Sequence, residues 1–351
     1  MRQPENVLEI DSPLPVRACL GVIDVGSNAI RVQVARVFQD GSFAVVHDER
    51  EPVRLGEEVF RTGVLSTEAI RQALDTLGRY ASTARKHGAL RVRAVATCAV
   101  REAANGDAFT REVEKATGLR LEIISGTEEA KLIARGVLSG LEPTAERLAL
   151  ADIGGGSTEI SLVENGEVRF GVSVPLGSVR MTEMFCLSDP LLPGHERAMR
   201  EHVRACLAQT LPTELFGSWG RIIGSAGTIG ALANFIRRRP STPRSPRAGP
   251  QHLRTSFTVR ELARASVSLR KMSLARRRKT PGIEERRAEI IVAGAVILEE
   301  LAAHLKSRTI KIVRRGLRDG LMLEEIERFA ALQPGAPMLL GPPVRVSKPR
   351  R

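Results

Sequence analysis

One grammar occurs twice in this chain. "LGVIDVGSNAIRVQVARV" at Leu20–Val37 and "LALADIGGGSTEISLVENG" at Leu148–Gly166 each pass from an apolar run through Asp-x-Gly into small polar residues, then into an alternating apolar strand. A single glycine cluster constrains little, because such clusters commonly make polar turns. Repetition over this length constrains more: it predicts a duplicated α/β unit, with one copy opening each half. At 351 residues the chain exceeds one comfortable hydrophobic core, which fits two domains.

The rest of the pattern follows that division. "CLGVIDVG" reads as a buried strand, and Asp40-Gly41 marks a hairpin in the alternating stretch after it. Ser66–Gly88 reads as a helix with Ser66 as N-cap and Gly88 as stop, and a second helix lies near Asp107–Gly118. A third helix follows "RLEIIS", with Thr127 as its cap, so the first half runs βββαβαβα. The second half restarts with a strand, the glycine turn, a hairpin at Asn165-Gly166 and a strand through Val174. Helix near His195–Leu211, strand at Arg221–Gly224, a long helix after Pro281-Gly282, strand at Thr309–Val313 and a final helix after "GLRDGLM" complete it. Thr258 and Glu261 have capping-box spacing. Two such units face each other across a cleft, where open α/β sheets bind ligands.

The net charge of +13 is localised. Ile236–Thr280 holds fourteen Lys/Arg against the single acid Glu261, so the remainder is near neutral. That segment is expected to attract long polyanions, with Arg276, Arg277 and Arg278 among the contacts, and its Pro/Arg-rich part Arg237–His252 to be mobile. Aromatics at 3% argue against a base-stacking nucleic-acid module. Cys19, Cys98, Cys186 and Cys206 form no C-x-x-C pair, which points to neither zinc nor a disulfide framework. The start of the chain has no apolar leader, and its longest apolar run, Ile290–Leu298, suits a buried helix rather than a membrane span; a cytoplasmic protein is expected.

The two glycine turns carry the chemistry. Glycines allow close backbone approach and positive φ, and successive N–H groups in such a turn cradle anions. Ser157 and Thr158 add hydroxyls, Asp152 and Glu159 add carboxylates, and the first turn offers Asp24, Ser27, Asn28 and Arg31 in matching places. Facing each other, the turns make a clamp for a phosphate chain and a hard cation. The P-loop pattern is absent, and each turn leads into a strand, which excludes Rossmann-type binding at a helix N-terminus.

"DVGSNAIR", "TCAVREA", "EIISGTEEAKLIARGV", "DIGGGSTEI", "PLGSVRMTE", "GSAGTIGALA" and "RRAEIIVAGAVIL" together resemble the Ppx/GppA family of exopolyphosphatases and guanosine pentaphosphate phosphohydrolases, in its short two-domain form. The resemblance spans residues 20–325. It implies two tandem ribonuclease H-like domains, as in actin, sugar kinases and heat-shock chaperones, over 18–136 and 137–316. The helix 317–331 would pack back on the first, a basic insertion would lie near 236–280, and 1–17 and 332–351 would be flexible tails. The further His-Asp domain of longer members has no counterpart, since only His304 lies beyond residue 260.

The same resemblance implies roles. Glu129 would orient or deprotonate the attacking water. Asp24, Asp152 and Glu159 would hold Mg²⁺, with Mn²⁺ as the alternative. Ser27, Asn28, Arg31, Arg101, Gly154, Gly155, Gly156, Ser157, Thr158, Gly227 and Thr228 would contact phosphate. The activity implied is removal of a terminal phosphate from polyphosphate or guanosine pentaphosphate. A non-catalytic guanosine polyphosphate sensor and a small-molecule kinase of the same superfamily are the alternatives. No specific nucleic acid and no membrane partner are expected; a homodimer is left open.

Overall fold

In the computed structural model the structure describes residues 14–211, 219–238 and 255–332. Most of the proposed tails and much of the Pro/Arg-rich stretch therefore lie outside the described residues; Arg237 and Arg238 themselves close a helix.

Strands β1 (Val16–Val25), β2 (Ile30–Phe38) and β3 (Phe43–Glu51) form the meander, and β4 (Arg91–Ala96) and β5 (Leu121–Ile123) extend it in the order β3-β2-β1-β4-β5. The second half repeats this with β6 (Leu148–Ile153), β7 (Thr158–Glu164), β8 (Glu167–Val174), β9 (Arg221–Ser225), β10 (Ser256–Thr258) and β11 (Thr309–Ile312), ordered β8-β7-β6-β9-β11-β10. In both sheets the opening strand has an antiparallel neighbour on one side and a parallel one on the other. The Asn165-Gly166 turn has φ of 54° and 79°, the left-handed pair that matches the twist of a two-residue hairpin.

Helices α1 (Val59–Thr62), α2 (Thr67–Lys86), α3 (Cys98–Glu102), α4 (Gly106–Thr117) and α5 (Gly126–Leu138) belong to the first half of the chain. Ser66 caps α2 by accepting from the Ala69 N–H, as its position predicts. The cap of α5 is Ser125, not Thr127: Ser125 Oγ accepts from the Glu128 N–H, and Thr127 already lies inside the first turn. Glu129 consequently belongs to the first turn of the helix and is buried there.

The second half contributes α6 (Ser178–Phe185), α7 (Pro193–Thr210), α8 (Ala226–Arg238), α9 (Val259–Lys271), α10 (Leu274–Arg278), α11 (Ile291–His304) and α12 (Leu317–Ala331). The Thr258–Glu261 capping box forms as expected. Pro281-Gly282 does not open the long helix. A 3-10 turn at Glu285–Arg287 intervenes, and α11 begins only at Ile291. The charged run Glu284–Arg287 cannot enter a helix that is apolar all round and buried from Ile291 to Leu298, so it stays at the cleft.

Each sheet covers its own apolar core, and a third core joins them. In the third, Leu20 and Val22 of β1, Leu148 and Leu150 of β6, Leu132 and Ile133 of α5 and Leu321 and Ile326 of α12 pack together. Burying one such side chain stabilises the fold by about 1.5–3 kcal/mol. Helix α12 thus lies against α5 and β1. Ion pairs fix it there: Arg93–Glu324 at 3.1 Å, Arg91–Glu325 at 2.8 Å and Arg318–Asp48 at 2.6 Å. Among the described residues no helix is long and apolar enough to cross a membrane.

Candidate active site

Asp24 and Asp152 occupy the penultimate positions of β1 and β6, so both carboxylates leave the sheets at their strand ends. The hairpin register places Arg31 opposite Asp24 and Glu159 opposite Asp152. The two glycine loops then touch. A Cβ at Gly155 would stand 3.0 Å from the Ser27 Cβ, and one at Gly156 would meet Ser27 Oγ at 2.9 Å and Cys98 Sγ at 2.6 Å. None of Gly26, Gly154, Gly155 and Gly156 has positive φ. Close approach, not left-handed backbone, is what these glycines provide.

Between the loops lies a narrow chamber of about 70 Å³. Its walls include Asp24, Asp152, Glu159 and Glu129, each 9% exposed or less. Glu129 accepts from Arg101 Nη1 at 3.1 Å. Glu159 Oε1 accepts from the Ser157 and Ser173 hydroxyls, each at 2.7 Å, and Asp152 Oδ2 from Ser225 Oγ at 2.6 Å. Burial, then the neighbouring Glu159 charge, pushes Glu129 well above the usual carboxylate range, against Arg101. Burial and the Asp152 charge bring Glu159 up to about 7. Burial also raises Asp152 and Asp24, with Arg31 opposing in both. Four buried acids in one field, offset by few cations, are a setting that a hard cation relieves. Among the described residues no three His, Cys, Asp or Glu side chains are arranged as a ready-made metal cage. Asp152 and Glu159, paired across one hairpin, fit an ion that keeps waters and takes further oxygens from a phosphate, as Mg²⁺ does.

The chamber opens past Arg31, Gly227 and Arg287 into a wide cleft of about 720 Å³. Arg31, Arg50, Arg237, Arg286, Arg287, Arg314, Arg315 and Arg318 line it, against the acids Asp152, Glu284 and Asp319. A Cβ at Gly227 would fall 1.7 Å from Arg287 Nη2, so that glycine exists to seat the guanidinium. Most of these arginines lie outside Ile236–Thr280. A charge sum misses them because acids elsewhere in the chain cancel them in sequence but not in space. Within the basic segment, Arg277 is not a solvent-facing contact. It is buried, donates from Nε to the Ala288 carbonyl at 2.8 Å and from Nη1 to the Met272 carbonyl at 2.6 Å, and pairs with Asp189 at 3.4 Å. It props the loop that carries Arg286 and Arg287.

Of the residues singled out from sequence, Asp24, Ser27, Asn28, Arg31, Glu129, Asp152, Gly154, Gly155, Gly156, Ser157, Glu159, Gly227 and Thr228 line the chamber. Thr158 does not: strand alternation turns it away, and its hydroxyl donates to the Leu176 carbonyl. Arg101 is not a wall residue either; it reaches the site through Glu129 and donates to the Ile124 carbonyl at 2.9 Å. Sequence reasoning missed Ser173, a single serine in a strand without a local signal, and within the motif at Gly224–Ile229 it picked out Gly227 and Thr228 but not Ser225. It also missed Arg180, whose Nε donates to the Gly156 carbonyl at 2.8 Å while its guanidinium lies 4.0 Å from the Phe60 ring and bonds Glu102 at 2.7 Å. This residue ties the second glycine loop to the first half.

The likenesses to known proteins agree with this geometry. A sequence model of the Ppx/GppA phosphatase family matches residues 34–329. Exopolyphosphatase 1 of Mycobacterium leprae is 32% identical over 314 residues, covering 89% of this chain and 90% of that protein. Exopolyphosphatase 2 of Mycobacterium tuberculosis is 33% identical over 320 residues, covering 87% and 97%. The crystal structure of the Aquifex aeolicus Ppx/GppA family member superimposes with a TM-score of 0.72 at 26% identity, covering 90% and 99%. With its duplicated sheets and a carboxylate chamber between the two glycine hairpins, this chain is a phosphohydrolase that belongs to the Ppx/GppA phosphatase family.

Proposed function

We propose that the protein is a Mg²⁺-dependent exopolyphosphatase. The observation that carries this reading is the junction at Arg31 and Arg287, where an acid-walled chamber sized for one phosphate meets an arginine-lined cleft sized for a chain. The terminal phosphate enters the chamber, and the remaining phosphates lie along the guanidinium groups. Glu129 holds a water against the terminal phosphorus and accepts its proton as the new P–O bond forms. The bridging P–O bond breaks, and the shortened chain leaves into the cleft with the bonding electrons. Arg31 and Arg287 face the negative oxygens at the junction. Mg²⁺, held by Asp152 and Glu159 with Asp24 nearby, would neutralise charge on the phosphate and on the acids.

Guanosine pentaphosphate is the less favoured substrate. Among the described residues no aromatic side chain lines the cleft to stack a base, whereas arginines outnumber the acids in its lining and suit repeating phosphates. The test is phosphate release from tripolyphosphate, long polyphosphate and guanosine pentaphosphate side by side, with and without Mg²⁺. Release from both polyphosphates exceeding that from guanosine pentaphosphate, and only with metal, is expected. Release from the nucleotide alone, or unaltered by chelation, overturns the reading.

A further inference from the structure

Glu284, the residue before the Glu285–Arg287 turn, lines the cleft and, like Arg50 and Arg286, does not line the chamber. Its Oε2 lies 2.8 Å from Arg286 Nε, 3.5 Å from Arg287 Nε and 3.9 Å from Arg50 Nη1. Arg50 comes from β3 and the other two from the second half, so one carboxylate is shared by cations of both halves. It does not satisfy them. Among the described residues, buried Arg50 Nε and Nη1 have no hydrogen-bond acceptor. Burial and the charges of Arg287, Arg31 and Arg286 lower Arg50 to about 9, and burial lowers Arg287 to about 10, with Arg31 and Arg286 adding to it. A single negative charge on a side chain 43% exposed thus sits among guanidinium groups that a multiply charged anion suits better.

We propose that Glu284 is a resident stand-in for substrate: its carboxylate fills the place among Arg50, Arg286 and Arg287 that an internal phosphate of a long chain takes. The inference rests on the polyphosphate reading and adds to it a residue that sets chain-length preference. A chain too short to reach Arg50 and Arg286, beyond the chamber, leaves Glu284 in place. A longer one displaces it toward solvent, against the weak attraction of a half-exposed ion pair. The backbone part played by Glu284, whose carbonyl accepts from the Arg287 N–H at 2.8 Å, is available to any residue. The side chain makes no helix cap.

The test compares Glu284→Gln and Glu284→Asp with wild type on tripolyphosphate and long polyphosphate over a range of salt concentrations. Glu284→Gln is expected to lower KM for the long chain about three- to fivefold, the scale of a part-exposed ion pair. It should also steepen the salt dependence of that KM, because freed arginines hold counterions that the chain releases. Tripolyphosphate, which meets Arg287 at the junction but does not extend to Arg50 and Arg286, should show a clearly smaller fall in KM; kcat and melting temperature stay near wild type, and Glu284→Asp behaves like wild type. An unchanged long-chain KM, or an equal fall for both substrates, overturns the stand-in role. A lowered melting temperature with reduced kcat in Glu284→Gln assigns Glu284 to the fold instead. Wild-type enzyme that releases no phosphate from either polyphosphate removes the underlying reading; wild-type turnover with an inert Glu284→Gln removes only this inference.

Discussion

The two glycine hairpins share a register and differ in one charge. In the first, Asp24 faces Arg31, whose Nη1 lies 3.4 Å from Oδ2, with Arg318 and Arg50 also acting on it. In the second, Asp152 faces Glu159, and among the described residues their side chains accept hydrogen bonds from the hydroxyls of Ser225, Ser157 and Ser173. The first hairpin pairs its acid with a cation that it presents to the chamber; among the described residues the two acids of the second form no ion pair, and Arg31, Arg287 and Arg101 act on them only through their field. On the proposed mechanism, one architecture used twice would serve opposite ends of a phosphoryl-transfer site, one side for anionic oxygens and the other for a cation and a water. Glu129 feels the second side through the Glu159 charge, which adds to burial in raising it against Arg101.

The sharpest test of that division removes the proposed base. Glu129→Gln keeps the shape and an acceptor for Arg101 but cannot take a proton, so turnover should fall by about 10²–10⁴-fold with polyphosphate binding retained. Phosphate release within a few-fold of wild type would assign the base elsewhere. Turnover by wild type that vanishes in the variant also removes the reading of the protein as a sensor only.

A second pair of changes asks whether the facing residues divide the work. Arg31→Gln should raise KM about tenfold, the loss of one charge-assisted contact, while the Mg²⁺ concentration for half-activity stays put. Asp152→Asn or Glu159→Gln should raise that Mg²⁺ concentration about tenfold or more. Kinetics over a grid of substrate and metal concentrations separate the two. If both kinds of variant shift both parameters alike, the hairpins do not differ in function.

Much of this was legible in sequence because it rests on local chemistry. Duplicated Asp-x-Gly turns, their hairpin continuation and the alternation that sends Ser157 and Glu159 inward need only neighbours along the chain. The same alternation, applied strictly, turns Thr158 outward, which a motif read as a block overlooks. What stayed hidden was assembled from distance. Arg50, Arg287 and Arg318 come from three parts of the sequence and meet only when α12 and the Glu284–Arg287 loop fold over the cleft. A run such as Arg276–Arg278 looks like one surface, yet its middle member is buried under carbonyl groups. Composition locates charge along a chain; packing decides which of it reaches a ligand.

The smallest expected effect is on stability, and its sign follows from the second hairpin. Glu159 titrates at about 7 in the fold, above the 4.5 of an unperturbed glutamate. Below pH 4.5 the side chain is neutral in both folded and unfolded chain, and it contributes no penalty. As pH rises from there to 7, the unfolded chain gives up the proton first, so the unfolded state binds fewer protons and stability falls. Above that range the penalty is complete. Glu159→Gln removes it while keeping an acceptor for Ser157 and Ser173. The variant should therefore melt with wild type at pH 4 and be more stable by about 1–3 kcal/mol at pH 8, because a tenfold difference in proton affinity between folded and unfolded chain is worth about 1.4 kcal/mol. Added Mg²⁺ should narrow the gap at pH 8 by stabilising wild type more than the variant. Thermal melts across pH, with and without the metal, provide the measurement. A difference between the two proteins that is the same at pH 4 and pH 8 would mean that Glu159 carries no excess charge cost, and that the two hairpins are electrostatically alike.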